Sequence, residues 1–185
     1  MCVPHKHREP IRCRLSCLLL WVAALGLSTS AILEGQENVA KAIAEFKRTD
    51  PGITKFFATA HGYAVFPSVG KGAIGIGGAH GKGYVYQRGR LIGRSSLTQV
   101  TFGFQLGGQA YREVIFFKDE RALDDFTRGN FELSAQATAV ALKTGAAANL
   151  AYNGGVAIVT MAKGGLMYEA SVGGQKFSYK PLADR

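Results

Sequence analysis

Cysteine is almost missing from this sequence. The chain of 185 residues contains three cysteines, and Cys2, Cys13 and Cys17 all lie close to its amino terminus. Everything after them therefore lacks a disulfide framework, a thiolate metal site and a cysteine nucleophile. None of the three follows the first apolar run, which is where a lipoprotein carries its lipid-modified cysteine.

Acidic residues are missing from a long central stretch. No aspartate or glutamate occurs between Asp50 and Glu113, although the same stretch carries seven basic residues: Lys55, Lys71, Lys82, Arg88, Arg90, Arg94 and Arg112. A positive field of this length predicts an anionic partner, such as a phospholipid headgroup, a lipopolysaccharide or a nucleic acid. A sheet face that is charged only for solubility is the alternative explanation.

Residue types that form catalytic or metal sites are also scarce. His61 and His80 are the histidines beyond the amino-terminal region, and the acidic residues nearest to His80 are Asp50 and Glu113. We expect His61 to lie at the end of a helix and His80 to lie in a Gly-rich turn, so neither predicts a metal site. No serine has a G-x-S-x-G setting. We therefore expect no catalytic residue, metal or cofactor.

One glycine motif has the spacing of a dinucleotide fingerprint. Residues 70–75 read G-K-G-A-I-G, but no helical pattern follows them and no acidic residue for a ribose occurs before Glu113. Gly81-Lys82 fails as a P-loop, because Gly83 stands where a serine or threonine should hold magnesium. Neither motif predicts a nucleotide site.

Long hydrophobic runs are missing except near the amino terminus. The run from Leu15 to Leu27 follows four basic residues and precedes Thr29-Ser30-Ala31, which is the pattern of a cleavable signal. This predicts a signal peptide over 1–31, a domain over 32–185, and a periplasmic or secreted location peripheral to the cell envelope. A retained anchoring helix that extends to Leu33 is the alternative.

Helical spacing opens the remaining chain. Apolar residues recur at helical intervals in residues 36–49, and Asp50-Pro51 is a good start for a second helix, with Gly62 at its C′ position. The apolar residues of that second helix are Ile53, Phe56, Phe57 and Ala60. We expect them to face the core; a helix that dips Phe56 and Phe57 into a membrane beside Lys55 is the alternative.

From Tyr63 onwards the period changes to two, which is typical of strands. Strand patterns occur at residues 73–76, 83–86, 100–106, 111–117, 155–161, 166–171 and 176–179, and residues 131–139 alternate as well. One helix interrupts them, capped by Asp119 and ended by Gly129. The fold class is α+β, with two amino-terminal amphipathic helices, one inserted helix, and an antiparallel, strongly curved sheet that is barrel- or sandwich-like.

Four blocks in order resemble the SYLF domain family: residues 63–67 (YAVFP), 71–86 (KGAIGIGGAHGKGYVY), 101–111 (TFGFQLGGQAY), and 162–167 (AKGGLM) with 174–176 (GQK). The resemblance covers residues 36–182. It implies a lipid-binding module, with phosphoinositide binding and actin bundling in eukaryotic members. An exported copy would not meet actin, and no ligand residue is transferred.

The charges and the resemblance together predict a non-enzymatic domain that binds anionic phospholipid and not nucleic acid. The predicted binding residues are Lys55, Lys71, Lys82, Arg88, Arg90 and Arg94. Arg88 and Arg90 flank Gly89 at a predicted hairpin tip, and Lys71 and Lys82 bracket a Gly-rich run that a headgroup could approach. Lysines outside the acid-free stretch, namely Lys143, Lys163 and Lys176, would serve as controls. The alternative function is an envelope structural or assembly protein that binds another protein.

Overall fold

The computed structural model describes residues 33–74, 76–102, 109–129, 131–134, 137–163 and 172–182. The chain divides into two units, Met1–Glu37 and Asn38–Arg185, and every described strand lies in the second. In the ranges that are described, no helix has both the length and the apolar character needed to cross a membrane.

The helices are short after the first. Helix α1 covers residues 33–49; a 3₁₀ turn follows at Pro51–Ile53, then α2 at Thr54–Thr59, α3 at Glu120–Thr127 and a second 3₁₀ turn at Ala146–Asn149. The predicted Asp50 cap is confirmed, because its carboxylate accepts a hydrogen bond from the Gly52 amide at 3.0 Å. Gly62 is not at a helix end as predicted; it is the first residue of β1.

Eight strands form one sheet in the order β5-β8-β3-β2-β1-β4-β7-β6. Their bounds are β1 Gly62–Ile74, β2 Ile76–Gln87, β3 Arg90–Phe102, β4 Gln109–Phe117, β5 Phe131–Glu132, β6 Val140–Ala141, β7 Val156–Ala162 and β8 Lys176–Pro181. The α+β class and the strongly curled sheet are confirmed. The sheet is mixed and not wholly antiparallel, because β6 runs parallel to β7.

Some predicted elements are different in the structure. Among the described residues of the alternating run 131–139, which are 131–134 and 137–139, only Phe131 and Glu132 belong to a named strand, β5. His80 lies within β2 and not in a turn. Residues 70–74 belong to β1, and β2 starts at Ile76, so no helix follows the G-x-G-x-x-G match. The strand predicted at 166–171 and the end of the one predicted at 100–106 lie outside the described residues.

One face of the sheet, here called the inner face, is the concave side of the curl. Strands near its two ends supply side chains to a single core: Phe177 of β8 and Ile158 of β7 belong to the same cluster as Leu97 and Ile115 from the middle. Helix α3 closes this core with Phe126, whose ring centroid lies 4.9 Å from that of Phe117. Burial of these side chains from water is the main term that holds the curl.

The opposite, outer face is covered over only part of its area. α1, α2 and the turn near residue 147 pack on it through a second cluster that includes Val65, Tyr84 and Phe116. Phe56 is 7% exposed, and its ring lies 5.6 Å from that of Phe116. The core-facing prediction for α2 is confirmed, and the membrane-dipping alternative is wrong, since Phe57 also packs edge-on against Phe116 at 4.9 Å.

Close packing explains one of the many glycines. A Cβ at Gly83 would come within 2.5 Å of the Phe66 ring and 2.7 Å of the Val65 carbonyl oxygen. The missing side chain lets Phe66 fill the inner core, where it is fully buried. Close packing of the sheet against its core therefore requires a glycine at this position.

Candidate anion-binding surface

The tip of the β2–β3 hairpin presents two arginines to solvent. Arg88 and Gly89 form a two-residue turn with φ of 49° and 79°, which is the left-handed geometry that suits the twist of a tight hairpin. The Arg88 amide donates to the His61 carbonyl at 3.1 Å, and Arg90 pairs with Gln87. The predicted hairpin tip is confirmed, and both arginine side chains are exposed.

Beyond the helical cover, the outer face of β1, β2, β3 and β8 is open to solvent. Strand pairing brings Ser68, Lys82, Ser96 and Ser178 to one level, and it places Arg94 beside Lys180 at the next level towards the hairpin. We call this area the distal outer face. Its members are Ser68, His80, Lys82, Arg94, Ser96, Thr98, Lys176, Ser178 and Lys180.

Hydrogen bonds link several hydroxyl groups of the distal outer face. Lys163 Nζ, which follows β7, donates to Ser68 Oγ at 3.3 Å. The hydroxyls of Ser96 and Ser178 lie 2.6 Å apart and share one hydrogen bond. These links hold the polar groups of neighbouring strands at fixed positions relative to one another.

Most of the basic side chains on the distal outer face form no ion pair within the described residues. Lys176 forms an ion pair with Glu132 at 3.5 Å. Lys82, Arg94, Lys180 and the neighbouring Lys163 form no ion pair with any acid in the described part of the chain. Exposed cations without acidic neighbours raise the local concentration of anions.

The six predicted binding residues are divided among four regions. Lys82 and Arg94 lie on the distal outer face, and Arg88 and Arg90 lie at the hairpin tip. Lys55 belongs to α2, where its ammonium lies 5.2 Å from the centre of the Phe56 ring.

Lys71 is on the other side of the sheet. It pairs with Ala79, a residue of the inner core, whereas Lys82 pairs with Ser68 on the outer side. Residues 79 and 82 of one regular strand point to opposite faces. Lys71 and Lys82 therefore cannot hold one headgroup against the same face, although they bracket the glycines in sequence.

Sequence reasoning predicted two of the nine residues of the distal outer face, Lys82 and Arg94, and missed the others. Lys163 and Lys176, proposed as controls, lie at the surface they were meant to control for, together with Lys180. Residues 176, 178 and 180 alternate along β8, so the sequence pattern does indicate that their side chains share one face of that strand. Nothing local indicated that β8 pairs with β3.

A buried polar cluster lies on the inner face. Gln175 Nε2 donates to Glu113 Oε2 at 3.1 Å and to Tyr111 Oη at 3.2 Å, and Thr160 is the cross-strand neighbour of Glu113. Burial raises the pKa of Glu113 to about 8, against the smaller opposing effect of the Gln175 hydrogen bond. Among the described residues, no group of three or more metal-binding side chains occurs.

Comparison with known proteins identifies the fold. Residues 98–184 match the family described as Ysc84, Las17-binding protein actin regulator. The chain is also 32% identical over 131 residues to beta cell expansion factor A of Aeromonas veronii, an alignment that covers 69% of this chain and 49% of that protein. Residues 98–184 thus match the Ysc84 (SYLF) family. It spans about half the length of this curated relative.

The SYLF resemblance seen in the sequence is thereby confirmed. The family supports a lipid- or actin-binding module. The residues that match the family model include all of β8 and Lys163. Ser68, Lys82 and Ser96 precede the matched residues. The distal outer face therefore combines residues that precede the matched segment with residues inside it.

Proposed function

We propose that this SYLF domain binds anionic phospholipid at a membrane surface, without catalysing a reaction. The observation that carries the proposal is the distal outer face, on which Lys82, Arg94 and Lys180 lie together and form no ion pair with an acid of the described ranges. Arg88 and Arg90 at the tip of the same hairpin are further exposed cations. The lipid-binding character of the family supports the assignment.

Flotation with vesicles tests the proposal. The protein should float with vesicles that contain an anionic phospholipid and remain at the bottom with neutral vesicles. Binding should fall steeply as salt rises, because each cation near an anionic surface contributes about 1 kcal/mol within a Debye length of about 10 Å at 0.1 M salt. Equal binding to neutral and anionic vesicles would contradict the proposal.

A protein partner is the second candidate, because the description of the matched family names a Las17-binding protein. Under this alternative the distal outer face recognises an acidic protein surface of the cell envelope. Cross-linking in intact cells, followed by mass spectrometry of the cross-linked peptides, would then find one protein attached near Lys82 and Lys180. The lipid proposal expects no single dominant protein there.

We also propose that residues 1–31 direct export and are removed, so that the domain acts in the periplasm or outside the cell. The basic segment, the short apolar run and the small residues Thr29-Ser30-Ala31 support this. Mass spectrometry of protein isolated from the native envelope should find a chain that starts at Ile32. An intact amino terminus, or a lipid on Cys13 or Cys17, would rule this out.

A further inference from the structure

Five side chains of the distal outer face and its border form a continuous row. In order across the sheet these are Lys163, Ser68, Lys82, Ser96 and Ser178; we call them the serine–lysine row. Neighbouring strands lie about 4.8 Å apart, so the row extends roughly 14 Å from Ser68 to Ser178. The three serines and two lysines are exposed except for Ser96, which is half-buried.

The row has hydrogen-bond donors on both sides of Lys82. On one side, Ser68 Oγ accepts from Lys163 Nζ, so the hydroxyl proton of Ser68 remains available to another acceptor. On the other side, Ser96 and Ser178 use one of their two hydroxyl protons between them, and the second remains available. Each side therefore offers one hydroxyl donor and shares the central ammonium of Lys82.

Positive charge is also present on both sides. Lys163 supplies it next to Ser68. Arg94 and Lys180, paired with each other one level towards the hairpin, supply it next to Ser96 and Ser178. A hydroxyl donor beside an ammonium or guanidinium group is a suitable arrangement for a phosphate oxygen, because hydrogen bonds to charged acceptors are the stronger ones.

We propose that the serine–lysine row binds two phosphate groups, one on each side of Lys82, and that the preferred lipid therefore carries two phosphodiesters joined by a short bridge. This inference rests on the proposed binding of anionic phospholipid and specifies its headgroup. Two phosphates that flank Lys82 lie one to two strand spacings apart, about 5–10 Å. Two phosphodiesters joined through one glycerol span such a distance, whereas a single phosphodiester fills only half of the row.

The test compares cardiolipin, which has two phosphodiesters joined by glycerol, with phosphatidylglycerol, which has one. Each anionic lipid is mixed with phosphatidylcholine, and cardiolipin is used at half the molar fraction of phosphatidylglycerol. The two kinds of vesicle then carry the same number of phosphodiester charges. The wild-type protein should bind cardiolipin vesicles about 10-fold more tightly, since one further charged hydrogen-bonded contact is worth about 1.5 kcal/mol. Equal affinities overturn the inference and leave the proposed function standing.

Variants locate the preference. Ser96→Ala/Ser178→Ala should lose most of the cardiolipin preference while its affinity for phosphatidylglycerol changes less than about 2-fold, because no charge is removed. The matched control Thr59→Ala/Thr127→Ala removes two exposed hydroxyls from α2 and α3 and should retain the preference. A preference that survives in the serine variant overturns the inference.

A second variant covers the case in which the double serine change impairs folding, which a thermal melt detects. Lys82→Gln removes the central ammonium from an exposed strand position and should lower the preference in the same way. Failure of the wild-type protein to bind either kind of vesicle would instead refute the proposed function itself. The two failures are therefore distinct.

Discussion

Glu113 is a carboxyl group in the interior of the curl, and its hydrogen-bond partner is an amide. It is fully buried, and its Oε1 and the Oγ1 of Thr160 have no hydrogen-bond partner among the described residues. A charge at this position would lack solvation, which is why burial raises the pKa of Glu113 to about 8. At neutral pH the protonated form therefore prevails in the folded protein.

The Glu113→Gln variant should remove a pH dependence of stability. The folded-state pKa of about 8 lies above the ordinary value of 4.5, so the folded state binds the proton more tightly than the unfolded chain. The stabilisation is complete below about pH 4.5 and is lost as the pH rises to about 8. The neutral amide in Glu113→Gln has no proton to lose.

Urea unfolding across this pH range measures the effect. The wild-type free energy of unfolding should fall by about 4 kcal/mol between the two limits, and the Glu113→Gln curve should be flatter by that amount. Glu120→Gln, at an exposed position in α3, serves as the control and should keep the wild-type slope. An unchanged slope in Glu113→Gln would show that Glu113 is already ionised at neutral pH.

At the scale of elements, α3 shows what local signals achieve. The Asp119 carboxylate accepts from the Ala122 amide at 3.0 Å, and the helix is followed by Gly129 with a φ of 91°. Both the cap and the glycine were predictable because they depend on residues only a few positions apart. The apolar side chains of the helix, Ala122, Leu123 and Phe126, belong to the inner core.

Phe126 is the main contact of α3 with the sheet. Its ring centroid lies 4.9–5.4 Å from those of Phe117, Phe131 and Phe177. Phe126→Ala should lower the free energy of unfolding by about 3–5 kcal/mol, because it leaves a cavity among three aromatic rings. Thr127→Ala on the exposed side should cost less than about 1 kcal/mol. Urea unfolding measures both costs. If Phe126→Ala also costs less than about 1 kcal/mol, α3 does not hold the inner core.

Long-range elements were less predictable for a physical reason. In the pairing of β1 with β4, a bulge between Phe66 and Val69 shifts the register, so Ala64 and Phe66 face the inner core before it and Val69 does so after it. Alternation read along the sequence cannot show such a shift. The bulge determines that Ser68 points to the distal outer face and that Lys71 points to the inner side of the sheet.

At the scale of the whole molecule, mutations can separate the contribution of particular basic residues to binding from that of the net charge. Arg88→Ala/Arg90→Ala/Arg94→Ala should lower the affinity for anionic vesicles about 30- to 150-fold, corresponding to the loss of three interfacial cations at about 1 kcal/mol each. Lys163 and Lys176 are unsuitable controls, given their position at the distal outer face. The control is Lys118→Ala/Arg121→Ala/Lys143→Ala, which removes the same charge from exposed positions on other elements.

Co-sedimentation with vesicles and thermal melts compare the two triple variants. Both should melt close to the wild type, since exposed substitutions usually change stability by less than about 0.5 kcal/mol each. If the two variants lose affinity equally, binding depends on net charge alone. The partner-protein alternative then becomes the better explanation of the acid-free stretch between residues 50 and 113.

The pairing of β3 with β8 also sets an order of assembly. β1, β2 and β3 follow one another as antiparallel neighbours, and β2 and β3 are joined by a two-residue turn, so these strands can pair as soon as they are synthesised. β8 must return across the chain to join Gly93 to Pro181, a contact with a large loop-closure entropy that forms slowly. Ser96 and Ser178 become neighbours only at that late step, so a partly folded chain does not present the serine–lysine row.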